Sequence, residues 1–145
     1  MRKRILAALL CACLLVPALT APAFAAFPDV PADEWYTEYV DFCTEKGIVN
    51  GFEDGTFRPY RTISREEAAA MLNRLYTALG GTVDTTSDST YADDAQIGNW
   101  AHDSVYAVRE INIMNGKLDN KFCPKDGYTA EQAVVTMERM YQALK

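Results

Sequence analysis

The chain has 145 residues, with 14 basic and 20 acidic side chains and 49% apolar residues. The composition is that of a water-soluble globular protein, and the acidic excess excludes nucleic-acid binding, which depends on neutralising phosphates. A chain this short holds one modest core rather than a large multidomain enzyme.

In chain order, Arg2-Lys3-Arg4 precedes an apolar run from Ile5 to Val16 and then Ala23-Phe24-Ala25. A basic start, a short apolar stretch and an A-x-A site mark a secretory signal peptide over 1–25. The run is too short to span a bilayer and no later stretch is longer, so no transmembrane segment is expected. Cleavage after Ala25 leaves 120 residues with 11 basic and 20 acidic, a net charge of −9. Leu10-Cys11-Ala12-Cys13 loosely resembles a lipoprotein signal, but the apolar Leu14-Leu15-Val16 and the later A-x-A site favour plain export.

The remainder is a repeat. Displacing the sequence by 65 residues superposes Trp35 on Trp100, Asn50-Gly51 on Asn115-Gly116, Phe57 on Phe122, Glu66 on Glu131, Arg74 on Arg139 and Tyr76 on Tyr141. About a third of the positions from Trp35 to Leu79 are identical, without a gap. The expected organisation is one unit over 26–79, a polar linker over 80–90 and a second unit over 91–145.

Each unit reads as helix, loop, helix. Trp35, Tyr39, Phe42 and Cys43 form an apolar stripe at helical spacing, matched by Trp100, Ala101, Val105, Val108 and Ile111. Gly47 and Asn112 stand in the stop positions. Asn50-Gly51 and Asp54-Gly55 are turn signals, repeated at Asn115-Gly116 and Asp119-Asn120. Ser64-Arg65-Glu66-Glu67 and Thr129-Ala130-Glu131-Gln132 both read as capping boxes that open a second helix. Its core stripe is expected at Ala68, Leu72, Leu75, Tyr76 and Leu79, and at Ala133, Met137, Met140, Tyr141 and Leu144. The fold class is all-α, and the faces of two helices per unit need the other unit or a partner to cover them.

Phe27-Pro28-Asp29-Val30, Trp35, Gly47-Ile48-Val49-Asn50-Gly51, Asp54-Gly55-Thr56-Phe57-Arg58-Pro59 and Ile63-Ser64-Arg65-Glu66-Glu67-Ala68 together resemble the S-layer homology (SLH) domain. The resemblance covers nearly all of the chain after the leader. It implies an exported bacterial module held non-covalently on the cell wall, with a secondary cell-wall polysaccharide, often pyruvylated, or peptidoglycan as partner. It further implies a pseudo-threefold helical assembly with ligand grooves between units, and groove residues at Asp29, Trp35 and Arg65. This chain departs from the pattern in having two units rather than three, no second module, and a degraded second copy in which Ala130 and Asn112 replace the motif Arg and Gly.

The residues themselves point to the first copy as the anion site. Arg58, Arg61 and Arg65 lie within eight residues and lead into a helix N-terminus, and arginine forks suit carboxylates. The aligned positions in the second copy are Cys123, Asp126 and Ala130. The bland alternative is exposed salt bridges with Asp54, Glu66 or Glu67. Trp35 and Trp100 fit either sugar stacking or core packing, and Asp29 and Asp93 either ligand contact or a local backbone cap. Tyr76 and Tyr141 read as packing, and His102 as a solvated helix residue.

No catalytic constellation, phosphate loop, zinc spacing or calcium loop is present in the sequence, so no enzyme activity, cofactor or metal is expected. Cys43 and Cys123 permit one bridge between the copies or two buried thiols. The functional expectation is wall attachment through Asp29, Trp35, Arg58, Arg61 and Arg65, with Asp93 and Trp100 as weaker equivalents. The rival is a protein–protein assembly module that completes its bundle with itself or another SLH protein.

Overall fold

The computed structural model describes residues 26–84 and 90–145. The expected signal peptide, with Cys11 and Cys13, and the middle of the expected linker lie outside the described residues. Four helices follow in order: α1 (Thr37–Glu45), α2 (Arg65–Ala78), α3 (His102–Glu110) and α4 (Ala130–Ala143). Short 3₁₀ turns at Asp94–Gln96 and Leu118–Asn120 complete the second unit. The fold is all-α, and the single β-bridge among the described residues joins Ser64 to Gly127. None of these helices is long and apolar enough to cross a membrane.

The repeat in sequence is a repeat in backbone. Gly47 has φ of 69° and Asn112 has φ of 56°, so the Gly-to-Asn exchange preserves the left-handed stop after the first helix. Gly51 lies so close to the Phe27 ring that a Cβ there would meet it at 2.3 Å, and Gly116 faces Tyr91 likewise at 2.7 Å. The loop before each second helix is held by an aspartate. The Phe57 and Arg58 N–H groups donate to the two carboxylate oxygens of Asp29 at 2.8 and 2.7 Å. Those of Phe122 and Cys123 donate to Asp93, both at 2.8 Å. The clamp fixes Arg58 and Cys123 in the left-handed region, at φ of 60° and 57°. Asp29 and Asp93 are thus local backbone caps, acting on the loop before the second helix rather than the turn before the first.

The capping boxes differ. In α2 the Glu67 N–H donates to Ser64 Oγ, and the Ser64 N–H to Glu67 Oε2 at 2.7 Å. In α4 the Thr129 side chain makes no cap bond, and the Gln132 side chain, which would return the second bond of the box, accepts a hydrogen bond from Arg65 instead.

Two apolar clusters form the interior. Phe27, Val30, Val40, Ile48 and Val49 make the smaller one inside unit 1. The larger combines Ala68, Ala69 and Tyr76 of α2 with Tyr91, Ala101, Val105, Val108, Ile113, Phe122 and Met140 of unit 2. Val83, in the expected linker, packs partly buried against this larger cluster. The α2·α3 contact therefore joins the units, with Asn73 Nδ2 donating to Ser104 Oγ at 3.2 Å across it.

Two of the expected stripes face the other way. On α1, Thr37 and Val40 are buried, while Trp35 just ahead of the helix and Tyr39 and Phe42 on it are 81%, 64% and 55% exposed. On α4, Thr136 and Met140 are buried, while Met137 and Tyr141 point outward, so Tyr141 is no packing residue. The α3 stripe of Ala101, Val105 and Val108 is buried as expected, with Trp100 left outside.

Candidate functional site

A groove of about 710 Å³ runs along the side of α2 that faces away from α3. Ala70, Met71 and Arg74 belong to its floor, the loop around Phe52 and Phe57 forms one wall, and Trp100 of unit 2 closes the other. Arg58 and Arg61 both lie over the Phe52 ring, 4.1 and 4.7 Å from its centre. Each also has an acidic neighbour: Arg58 Nη2 pairs with Asp54 at 2.7 Å, and Arg61 pairs with Glu67. These are the exposed salt bridges of the bland alternative, worth about 0–1 kcal/mol each. The Thr56 hydroxyl and the Arg58 guanidinium hold the Asp54 carboxyl down at about 2. Glu66, which also lines the groove, accepts from Lys125 Nζ at 2.5 Å and from the Gly98 N–H at 3.0 Å. Arg74 lines the groove half-buried, with no ion-pair partner among the described residues.

Of the residues singled out in the sequence, the groove brings together Arg58, Arg61 and Trp100. Trp35 is on the outer face of unit 1, edge-on to Tyr36. The carboxylates of Asp29 and Asp93 are occupied by the loop clamps.

Arg65 is 4% exposed and lies between the units. Its guanidinium donates to the Phe122 carbonyl (2.9 Å), the Asn115 carbonyl (3.0 Å) and Gln132 Oε1 (2.8 Å), and stacks on the Phe122 ring. Burial pulls its pKa below the ordinary arginine value, but an arginine fork with these acceptors stays charged at neutral pH. The N–H groups of the first turn of α2 are equally engaged, Arg65 with the Asp126 carbonyl and Glu66 with the Pro124 carbonyl. The helix N-terminus that the sequence offered to an anion is closed by unit 2.

Cys43 and Cys123 are free thiols. The bridge is not formed, because Cys43 packs on the core of unit 1 while Cys123 sits in the clamped loop of unit 2.

Arg74 is the groove residue the sequence reading missed as a site. Its signal was present: it falls eight residues after Glu66 on α2, on one helical line with Ala70, and it repeats at Arg139. The two units also treat equivalent slots oppositely. In unit 2, Arg65 fills the slot made by Asn115, Phe122 and Gln132. The equivalents Asn50, Phe57 and Glu67 line the open groove, with Arg58 and Arg61 replacing Cys123 and Asp126.

Residues 26–69 match the S-layer homology domain model. The chain is 32% identical over 105 residues to the S-layer protein sap of Bacillus anthracis, covering 70% of this chain and 12% of that protein. It is 33% identical over 109 residues to an amylopullulanase of Thermoanaerobacterium thermosulfurigenes, covering 74% and 6%, and 29% identical over 114 residues to S-layer protein EA1 of Bacillus anthracis, covering 77% and 13%. The chain thus spans a small fraction of these relatives' length, and alignments of this extent reach well beyond the first unit. Through residues 26–69 and this wider similarity, the chain belongs to the S-layer homology family.

Proposed function

We propose that this protein attaches to a bacterial cell surface by binding an acidic wall polymer in the groove between its units. The polymer is a secondary cell-wall polysaccharide, pyruvylated in the fullest version of this reading, or peptidoglycan. S-layer proteins and an amylopullulanase share this segment while differing in name and length, which supports a role in anchoring rather than in a reaction. No catalytic step is assigned to it.

The observation that carries the reading is Arg74. A half-buried arginine with no ion-pair partner among the described residues, in a groove that an exposed indole also lines, matches a sugar bearing a carboxylate: the ring stacks on Trp100 and the acid takes the arginine fork. Arg58 and Arg61 are already aligned on Phe52, and a ligand carboxylate exchanges with Asp54 or Glu67 at small cost because those exposed pairs are weak. The groove as a whole carries four acids, Glu53, Asp54, Glu66 and Glu67, against three arginines, so the reading rests on Arg74 rather than on a basic field. Asp29 and Arg65 serve the groove indirectly, by fixing its wall and the placement of unit 2. Trp35 is left to a different face.

The test is co-sedimentation with purified walls, with and without their secondary polysaccharide. Arg74→Ala and Trp100→Ala each lower affinity about tenfold or more while retaining the helical circular dichroism of the parent. Loss of binding with the polysaccharide removed identifies it as the ligand; unchanged binding by both variants sinks the groove.

A further inference from the structure

The Ala26 backbone N–H donates to Asp41 Oδ1 of α1 at 2.8 Å. Both ends of this bond are held in place. The Phe27 ring, next along the chain, is buried and stacks on Phe57 with 5.5 Å between ring centres. The Val30 N–H closes a turn onto the Phe27 carbonyl at 3.1 Å, and Asp29 is fixed by its loop clamp. Asp41 follows the buried Val40 on α1 and is itself half-buried. It has no ion-pair partner among the described residues, and Thr37–Glu45 contains no basic side chain.

A carboxylate gains Coulomb attraction when the donor facing it carries a charge. Cutting the chain in front of Ala26 supplies that charge. The expected leader ends in two A-x-A sites, Ala21-Pro22-Ala23 and Ala23-Phe24-Ala25, and both satisfy the small-residue rule for cleavage. Hydrolysis after Ala23 leaves Phe24 in front and keeps the Ala26 nitrogen a neutral amide. Hydrolysis after Ala25 by a leader peptidase adds water across the Ala25–Ala26 peptide bond. The C–N bond breaks, Ala25 leaves as a carboxylate, and the Ala26 nitrogen becomes an α-ammonium. We propose that the chain is processed between Ala25 and Ala26 and that the new α-ammonium pairs with Asp41, so that unit 1 gains this ion pair only once the leader is removed. The fold is matched to the second site, because only that cut places a cation where the Asp41 carboxylate already sits. The pair ties the stretch carrying Phe27 and Asp29 to α1, and Asp29 in turn holds the Phe57–Arg58 wall of the groove.

The test exports the full 145-residue chain from a bacterium and reads the product by intact mass and N-terminal sequencing. The product starts at Ala26. Its α-amino group, followed by NMR through the Ala26 methyl carbon, titrates at least about 0.5 above the ordinary terminal value, because a paired carboxylate favours the charged form. It returns to the ordinary value in Asp41→Asn, which keeps an acceptor oxygen and loses the charge, and in the parent unfolded by urea. A product that starts at Phe24, keeps the leader or is lipidated at Cys13 overturns the cut. Equal titration of the folded parent and folded Asp41→Asn overturns the pairing, as does equal titration of the parent with and without urea.

Discussion

Asp29 is the residue on which unit 1's groove wall depends. Its carboxylate accepts two consecutive amides, Phe57 and Arg58, across 28 residues of sequence, and so holds a non-glycine residue in the left-handed region beside the groove. The same two amides, Phe57 first, hold its pKa below the ordinary 3.8. A depressed carboxylate contributes stability that is fully present above its unfolded value and is lost as the pH falls through the folded one. Asp29→Asn, which keeps one acceptor oxygen and loses the charge, is therefore less stable than the parent at neutral pH. The gap narrows as the pH drops below about 4, which chemical unfolding at a series of pH values measures. A gap that stays constant would mean the charge is irrelevant. At this scale the sequence was half legible. The paired motifs at Asp29 and Asp93 announced a role, but a backbone clamp spanning a loop leaves no local spacing to read. Arg65 was mistaken for an open anion site because its acceptors, the carbonyls of Asn115 and Phe122, carry no side-chain signature.

At the scale of elements, helix existence, loop turns and the α2 cap followed from periodicity and from Gly, Asn and Ser chemistry. The direction of the stripes did not. Val105 and Tyr76 are buried because α2 and α3 meet, whereas Tyr39 and Tyr141, on comparable stripes, are exposed. An apolar period reports which side of a helix can be covered; whether a neighbour covers it is a property of the assembly. The capping boxes show the same limit. Both have the right residues, yet the Thr129 side chain makes no cap bond and Gln132 gives its side chain to Arg65. Ser64→Ala therefore costs about 1 kcal/mol, and Thr129→Ala close to nothing, in parallel denaturant titrations. Equal costs would show that the box at Thr129 forms in solution.

For the whole molecule, the sequence divides at a polar linker while the interior does not. Ala68, Ala69 and Tyr76 belong to a cluster completed by Val105, Val108 and Phe122, and Arg65 threads into carbonyls fifty and 57 residues away. Unit 1 keeps only the small cluster around Phe27, Val30 and Val40 as its own. Separated, residues 26–84 would expose the α2 face and leave a charged guanidinium without its acceptors, and residues 90–145 would lose the cover over α3. Segments of about 60 residues bury too little surface to tolerate such losses. Each fragment alone is accordingly expected to show little helical circular dichroism, and an equimolar mixture to regain the signal of the intact chain. Arg65→Ala in the first fragment weakens that recombination by about tenfold or more, since it deletes charge-assisted bonds made only across the junction. Independent folding of either fragment to its full helix content would refute a shared core. It would make the groove a hinge between two separate bodies, and Trp100 would then approach Arg74 only when ligand is bound.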